Sequence, residues 1–257
     1  MMIRPDVEMA NISDVGCVRT VNEDYFLFCE PQDDREFAKR GRLLLIADGM
    51  GGHNGGETAS RMAAQIVRDV FLRSESADPV ALLIDAFTEG HQSILDLALR
   101  SPELAGMGTT CTAAILRGAK LTVGHIGDCR LYLIRDGISQ LLTDDHTVVG
   151  HLLKSGLISQ DQARVHENRN VLTSALGAEC VSAAADFINV PTPLRMGDIL
   201  LLCSDGLHGL VEDREMASIS REFELRDAGR RLVNLAKTRG GPDNITLQLL
   251  KIRESVQ

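Results

Sequence analysis

The spacing of hydrophobic residues predicts two consecutive amphipathic helices in the first half of the chain. Between residues 59 and 71, apolar side chains recur at the i, i+3, i+4, i+7 spacing that places them on one helical face. A second helix fits 79–100, where Pro79 occupies the first turn and apolar residues again form one stripe. Because few polar residues separate the two helices, we expect them to pack antiparallel.

Short apolar and alternating segments predict strands around these helices. The first, 43–47, is a wholly apolar run that ends at Asp48 and Gly49 and enters a glycine-rich loop. The next candidates form an antiparallel meander over 109–117, 120–126, 130–135 and 138–142. The remaining candidates are strands at 184–190, 198–203 and 245–252 and a helix at 226–238.

The order of these elements predicts an α+β fold with mainly antiparallel sheets and outer helices. It lacks the regular alternation of strand and helix that a doubly wound parallel sheet requires. The polar, weakly helical stretch 146–170, with a helix start at Ser159, is interpreted as an excursion from the sheets. Since no repeat or Pro/Ser-rich linker interrupts the chain, we expect a single domain over residues 1–257 with its core at about 10–252.

Composition argues against a membrane protein and against a nucleic-acid-binding protein. Hydrophobic residues are 44% and charged residues 25% of the chain, and its apolar runs are far shorter than the roughly 20 residues of a membrane helix. Pro5 and Asp6 stand where a signal peptide would be apolar, so we expect a cytoplasmic location. The net charge of −9 disfavours a surface for nucleic acid. It fits an acidic site for cations, and equally an ordinary soluble protein.

The cysteines predict reduced thiols rather than disulfides or a zinc site. They are scattered without a C-x-x-C pair, and several lie in apolar strand-like runs. The six are Cys17, Cys29, Cys111, Cys129, Cys180 and Cys203. We therefore expect mostly buried thiols.

Four aspartates at the edges of apolar segments are the main candidates for chemistry. They are Asp48, Asp128, Asp205 and Asp243. Three of them have a neighbouring glycine, which permits close approach of backbone and ligand. An Asp-Gly pair by itself usually marks a turn. Because Asp48 and Asp205 each follow a fully apolar strand, however, these acids are in a position to converge at the ends of rigid strands.

Converging carboxylates indicate a bound cation, because they would otherwise repel one another and raise one another's pKa. Oxygen ligands without cysteine or a histidine pair point to hard ions such as Mg²⁺ or Mn²⁺ rather than zinc. Two such ions about 3.5 to 4 Å apart lower the pKa of a water between them and make a nucleophile available near neutral pH.

The N-terminal region adds an arginine close to two acids. Arg19 offers the planar donor fork that matches a phosphate, and Glu23 and Asp24 are further candidates to support metals. Taken alone, this Arg-x-x-Asn-Glu-Asp segment fits a solvated loop equally well.

Seven short motifs occur along the chain between about residues 13 and 250. They are Arg19-Thr-Val-Asn-Glu-Asp24, Ala47-Asp-Gly-Met-Gly-Gly-His53, Gly108-Thr-Thr110, Gly127-Asp-Cys-Arg130, Leu142-Thr-Asp-Asp-His146, Ser204-Asp-Gly206 and Gly241-Pro-Asp-Asn-Ile245. In this order they resemble the metal-dependent protein phosphatases of type 2C, particularly the compact bacterial Ser/Thr phosphatases.

The resemblance implies a four-layer αββα sandwich of two antiparallel sheets flanked by helices, and two to three Mg²⁺ or Mn²⁺ ions. By this resemblance, Asp48 and the carbonyl of Gly49 would be shared by two ions. Asp205 and Asp243 would complete the ligands of the first ion, and Asp24, with Glu23 nearby, would bind the second. Asp128 and Asp205 would bind a third ion. Arg19 and Asp48 would be the catalytic residues, with Arg19 gripping the substrate phosphate. The stretch 146–170 would form a flap beside the site.

The implied mechanism is in-line attack of a metal-activated water on phosphorus, without a covalent phosphoenzyme. Eukaryotic members carry a histidine general acid directly after the Asp-Gly pair. Met50 stands there in this chain, so His53 and a metal-bound water are the candidate acids. Cys129 replaces the usual serine, a change expected to affect packing. Ser174 stands where bacterial relatives commonly have arginine, which bears on substrate preference.

The implied partners are phosphorylated proteins and the Ser/Thr kinase that this chain would oppose, with the chain itself a monomer. Two other hypotheses stay open. One is a binding or regulatory module that kept the fold and lost activity, against which the complete set of aspartates argues. The other is a hydrolase of small phosphorylated metabolites, because the metal chemistry does not depend on what carries the phosphate.

Overall fold

Two antiparallel sheets lie at the centre of the fold. The computed structural model of the protein describes residues 3–51, 55–179 and 181–254. The strands are β1 Val7–Asp14, β2 Asp24–Cys29, β3 Arg42–Met50, β4 Gly108–Thr109, β5 Cys111–Arg117, β6 Lys120–Ile126, β7 Arg130–Arg135, β8 Ile138–Leu141, β9 Asp186–Asn189, β10 Ile199–Cys203 and β11 Ile245–Ile252. The helices are α1 Asp34–Arg40, α2 Gly55–Arg73, α3 Pro79–Arg100, α4 Val148–Lys154, α5 Gln160–Arg164, α6 Asp205–His208, α7 Asp213–Glu222 and α8 Leu225–Thr238.

The strands divide between a five-stranded and a six-stranded sheet. The first has the order β1-β11-β10-β7-β8, and the second has the order β2-β3-β5-β6-β9, with β4 paired to β3. Neighbouring strands run antiparallel in both sheets. The predicted α+β class with antiparallel sheets is confirmed.

Alternate side chains of β3 enter two different hydrophobic cores. Leu43 and Leu45 pack with side chains of α2 and α3. Leu44 and Ile46 pack between the two sheets, in a core that also contains Leu200 of β10. Because β3 is buried on both faces, its sequence is a continuous apolar run instead of an alternating one. A third core lies between the five-stranded sheet and α6, α7 and α8, which completes the predicted αββα sandwich.

The predicted meander is wrong. Strands β5 and β6 pair as a hairpin in the six-stranded sheet, whereas β7 and β8 pair as a second hairpin in the other sheet. The chain crosses between the sheets at Gly127, whose φ of 102° is in the left-handed region that favours glycine. Alternation along a strand shows which face is buried and does not show which strand lies beside it, so the sequence pattern did not reveal the crossing.

Several short elements were missed from the sequence, namely β1, β2, α1, α6 and α7. Helix α1 covers seven residues, too few for a periodic pattern, and is capped by the Asp33 side chain. Strand β3 is longer than predicted, since it continues through Asp48 and Gly49 to Met50. The first predicted aspartate therefore belongs to a strand and not to the loop that follows it.

The longer predicted helices are present in the structure. Helix α3 begins at Pro79 behind the capping side chain of Asp78, and α5 begins at a capping box formed by Ser159 and Gln162. None of the helices in the described ranges is long and apolar enough to cross a membrane.

The cysteine prediction agrees with the structure for five of the six residues. All five are free thiols, and Cys17 is the exposed one, while Cys29, Cys111, Cys129 and Cys203 are buried. Cys180 lies outside the described residues.

Candidate functional site

Asp24 and Asp48 stand opposite each other on the paired strands β2 and β3. Asp24 is only 7% exposed, and its Oδ2 accepts a hydrogen bond of 2.7 Å from Ser204 Oγ. Its Oδ1 atom has no hydrogen-bond partner among the described residues. Directly opposite residues of an antiparallel pair project from the same face of the sheet. Two carboxyl groups are thus held side by side.

Two threonines fix the main chain of Asp48. Its N–H donates to Thr110 Oγ1 at 2.9 Å. Its carbonyl accepts from Thr110 N at 2.8 Å and from Thr109 Oγ1 at 2.9 Å. A Cβ on the next residue, Gly49, would lie 2.1 Å from the carbonyl oxygen of Gly56. The position therefore requires glycine, because α2 begins directly against the strand.

Helix α6 and the start of β11 bring Asp205 and Asp243 together. Asp205 is the first residue of α6 and follows Ser204, and its Oδ1 atom is buried without a hydrogen-bond partner in the described ranges. A Cβ on Gly206 would lie 1.9 Å from the main-chain oxygen of Asn244. The backbones that carry Asp205 and Asp243 are therefore in direct contact.

Asn244, which was not singled out from the sequence, ties the N-terminal loop to this site. Its Nδ2 donates to the carbonyls of Val15 and Val21, both at 3.0 Å, and its Oδ1 accepts from Glu23 N at 2.8 Å. The residue is buried, so it holds the loop 15–23 from inside. The sequence did offer a signal for this role, because Asn244 directly follows the candidate ligand Asp243 and a side-chain amide can both donate and accept hydrogen bonds.

The N-terminal loop places Arg19 beside the acids. Its Nη2 donates to Asp243 Oδ2 at 2.8 Å, and its Nη1 lies 3.9 Å from Glu23 Oε2. The Arg19 side chain is 48% exposed. Its guanidinium is therefore anchored on one side and open to an incoming anion on the other.

Asp128 lies in the crossing between the sheets, close to α6. It is 8% exposed, and its main-chain oxygen accepts a hydrogen bond of 2.9 Å from His208 Nε2. Two residues later, Arg130 forms a bidentate ion pair with Asp145 at 2.8 and 2.7 Å. This pair joins the crossing to the beginning of the predicted flap. His208 was not anticipated from the sequence.

Burial and mutual repulsion oppose ionisation of these acids. Burial is the largest cause that raises the pKa of Asp24 to about 7, while two hydroxyl hydrogen bonds lower it. Burial followed by the negative charge of Asp243 raises the pKa of Asp205 to about 6, against a lowering effect of Arg19. Burial and the Asp205 charge also raise the pKa of Asp128.

Asp48 is the residue on which these charges converge. Burial raises its pKa well above the ordinary value, and the negative charges of Asp24, Asp205, Asp128 and Asp243 raise it further. All five predicted aspartates, which we call the aspartate cluster, thus lie within electrostatic reach of one another. A bound cation would offset this repulsion and favour the ionised form of the carboxyl groups.

The donor atoms of the cluster fit a hard divalent cation. Three buried oxygens, Glu23 Oε1, Asp24 Oδ1 and Asp205 Oδ1, have no hydrogen-bond partner within the described part of the chain. Oxygen ligands are those that Mg²⁺ and Mn²⁺ prefer. In the same ranges, no three His, Cys, Asp or Glu side chains are placed to hold one ion by themselves. Mg²⁺ usually keeps several waters among its ligands, so a carboxylate can also act on the ion through a water.

An open cavity of about 760 Å³ connects the cluster with the predicted flap. Arg19 and three of the aspartates line one end, and residues of the stretch 146–170, including Val149, Leu153 and Arg164, line the other. This stretch contains α4 and α5, so it borders the site. The candidate acid His53 lies outside the described residues.

Comparison with known proteins decides the family. The sequence pattern of protein phosphatase 2C matches residues 19–246, a range that includes Arg19 and the whole aspartate cluster. The chain belongs to the protein phosphatase 2C family. This phosphatase 2C is accordingly a metal-dependent Ser/Thr protein phosphatase, a hydrolase of phosphomonoesters. The resemblance found in the seven motifs is confirmed.

Similar proteins cover nearly the whole of this phosphatase 2C. The serine/threonine phosphatase stp of Listeria monocytogenes is 34% identical over 244 residues, 93% of each chain. The structure of the S. agalactiae serine/threonine phosphatase has a TM-score of 0.86 at 29% identity and matches 96% of this chain and 100% of that one. The catalytic domain of PstP, solved with two manganese ions, has a TM-score of 0.80 at 34% identity over 96% of this chain and 99% of that one.

Proposed function

We propose that this phosphatase 2C removes phosphate from phosphoserine and phosphothreonine with two to three Mg²⁺ or Mn²⁺ ions bound at the aspartate cluster. The observation that carries the proposal is that four other aspartates surround the half-buried Asp48, beside a cavity that Arg19 lines. When bound, the ions lower the pKa of the attacking water and neutralise charge on the phosphoryl group. No covalent phosphoenzyme is needed.

Each residue of the cluster has a proposed ligand role. Asp48 serves two ions, together with the carbonyl of Gly49. Asp205 and Asp243 would complete the first ion's ligands, since the residues that follow them, Gly206 and Asn244, are in backbone contact. Asp24, opposite Asp48 in the ladder, supports the second ion with Glu23 nearby. Asp128 and Asp205 would hold the third, which is supported by the Asp205 charge, the next cause after burial that raises the pKa of Asp128.

Arg19 is proposed to bind and orient the phosphate of the substrate. Its ion pair with Asp243 restricts the guanidinium before the substrate arrives, so fewer side-chain rotamers are lost on binding. The exposed part of the planar fork remains available for two phosphoryl oxygens.

The proton for the leaving group is proposed to come from His53, with a water of the site as the alternative donor. A serine or threonine alkoxide needs protonation as it departs, whereas p-nitrophenolate does not. If His53 is the acid, His53→Ala slows hydrolysis of phosphothreonine peptides and leaves p-nitrophenyl phosphate hydrolysis unchanged. Equal effects on both substrates would assign the proton to water.

The decisive experiment compares wild type with Asp205→Ala on phosphothreonine peptides, with Mn²⁺ and with chelator. We expect wild-type activity only with Mn²⁺ and no activity in the variant. Asp227→Ala serves as a matched control, because Asp227 is an exposed aspartate on α8 that pairs with Arg230. Activity of Asp205→Ala, or of wild type in chelator, contradicts the mechanism.

Phosphoproteins are the proposed substrates, and a Ser/Thr kinase that phosphorylates them is the proposed partner. The large open cavity, which reaches from the cluster to α4 and α5, has room for a peptide on either side of the phosphorylated residue. We therefore expect a higher kcat/KM for a phosphothreonine peptide than for free phosphothreonine. A monomeric state and a cytoplasmic location stay predictions.

A further inference from the structure

His208 connects the two segments that carry Asp128 and Asp205. Its Nε2 lies 2.9 Å from the main-chain oxygen of Asp128. Because a carbonyl oxygen only accepts hydrogen bonds, Nε2 must carry the hydrogen and donate it. The contact joins residues 80 positions apart in the chain, so it fixes the crossing between the sheets against α6.

His208 and Asp205 lie on the same short helix, α6. Asp205 is the first residue of the helix and His208 the last, and residues three apart on a helix lie on the same side. The carbonyl of Asp205 also accepts a hydrogen bond of 2.8 Å from Gly209 N, which closes the turn. One rigid turn therefore carries both Asp205 and the donor that holds Asp128.

The peptide groups on the two sides of Asp128 have different partners: the carbonyl of Gly127 accepts a hydrogen bond of 2.7 Å from His146 N, whereas the carbonyl of Asp128 accepts from His208 Nε2. The preceding Gly127 has a positive φ of 102°, a conformation that glycine reaches without strain, and its N–H donates to His146 Nδ1 at 3.3 Å. Arg130 is held by Asp145, yet it follows Asp128 by two residues. The His208 hydrogen bond is the contact that acts on the Asp128 peptide from α6.

We propose that His208 is a positioning residue, which orients Asp128 towards Asp205 so that both carboxylates can face one divalent cation. The inference rests on the proposed function, because it concerns the ion assigned to these two acids. His208 itself is not a ligand in this scheme: its donor nitrogen is directed at the protein backbone. Partners that orient metal ligands typically change metal affinity by about 10- to 100-fold when removed.

The test uses three variants of the full chain. His208→Gln keeps a side-chain N–H donor of similar reach, and His208→Leu removes the donor while keeping an apolar volume. His91→Leu is the matched control, because His91 is also partly buried and makes one hydrogen bond, to Gly177 N at 3.0 Å. Mn²⁺ binding is measured by calorimetry and by the EPR signal of free Mn²⁺, and melting is measured in chelator.

We expect His208→Leu to weaken one class of Mn²⁺ sites by about tenfold or more. His208→Gln should stay within about threefold of wild type, as expected when the donor is kept. Unchanged Mn²⁺ affinity in a folded His208→Leu protein overturns the proposal. So does an equal loss in His208→Gln and His208→Leu with a lower melting temperature in chelator, which shows a packing role.

Failure of this inference is distinguishable from failure of the proposed function. Mn²⁺ binding is read without turnover, so the role of His208 is decided even if no phosphopeptide is hydrolysed. Conversely, a wild type that binds Mn²⁺ and hydrolyses phosphothreonine peptides supports the function whatever the His208 variants do.

Discussion

Asp24 and Asp48 are direct partners in the β2–β3 ladder, which places the buried Asp24 and the half-buried Asp48 on the same face of one sheet. Like charges opposite each other destabilise a strand pair. Here the arrangement is kept in place by the apolar run of β3 behind it, whose side chains are buried in two cores. The packing of the sandwich thus holds the carboxylates close together in spite of their mutual repulsion, and a bound cation would reduce that repulsion.

The first prediction is that the chelated protein loses stability as pH rises from about 4 to about 7. The pKa of folded Asp24 is raised from 3.8 to about 7. In this window the folded state therefore holds a proton that the unfolded chain has released, so the free energy of unfolding falls with rising pH. Asp24→Asn removes this titration.

We expect chelated Asp24→Asn to be more stable than chelated wild type above pH 7 by at least about 1 kcal/mol, or about 2 to 4 °C in Tm. The difference should shrink towards pH 5. Differential scanning fluorimetry across this range measures it, with Asp227→Asn as the exposed control. Parallel pH profiles for wild type and Asp24→Asn contradict the prediction.

A second prediction concerns the guanidinium of Arg19. Arg19→Ala removes the donors that face the phosphate and should lower kcat/KM for a phosphothreonine peptide by about 10- to 100-fold. Arg19→Lys keeps the charge but loses the planar fork, so we expect an intermediate value. Steady-state kinetics measures this, with Arg68→Ala as control, because Arg68 is an exposed arginine that pairs with Asp69. Full activity of Arg19→Lys would show that charge alone suffices.

A third prediction tests the contact between α6 and β11. Gly206→Ala adds a Cβ that meets the main-chain oxygen of Asn244 at 1.9 Å, so the backbones of Asp205 and Asp243 must separate. We expect at least about tenfold weaker Mn²⁺ binding and a lower Tm. Gly90→Ala is the control, because its Cβ would meet only Leu176 Cδ1 at 3.9 Å and alanine favours the helix. Wild-type Mn²⁺ affinity in Gly206→Ala would refute the expected separation.

A fourth prediction concerns a buried ion pair away from the aspartate cluster. Arg42 and Glu30 have side chains 1% and 0% exposed, with Nε and Oε2 3.1 Å apart. Glu30→Ala removes the more buried of the two carboxylates that pair with Arg42, while Asp6 still accepts from Arg42 Nη2 at 2.9 Å, and it should lower the free energy of unfolding by up to about 3 kcal/mol. Urea denaturation measures the change.

Glu30→Ala should leave catalysis and metal binding unchanged. Glu30 follows the end of β2 that is opposite to Asp24, so the folded fraction should retain the wild-type kcat and Mn²⁺ affinity. The double variant Glu30→Leu with Arg42→Met should recover part of the stability, because it removes both charges together. A loss below about 1 kcal/mol in Glu30→Ala would show that the pair contributes little.

Local pattern was sufficient for much of the fold. The period of apolar residues located α2 and α3, because each buries one continuous stripe against a sheet. The unbroken apolar run of β3 signalled a strand covered on both faces. Short elements such as α1 and α7 were missed, since a few residues do not establish a period. The sandwich itself came from the resemblance and not from periodicity.

The candidate site, too, was predicted only in part from the sequence. By itself the sequence determined which ionisable residues to consider, Arg19 and the aspartate cluster, because chemical type and position after an apolar run are visible in the chain. Only the tertiary structure decided what holds them. The hydrogen bond from Ser204 to Asp24 joins residues 180 positions apart, and that from Asn244 to Val15 joins residues 229 apart. The choice of such partners depends on the crossing at Gly127 and on the packing of two sheets, neither of which has a local signal.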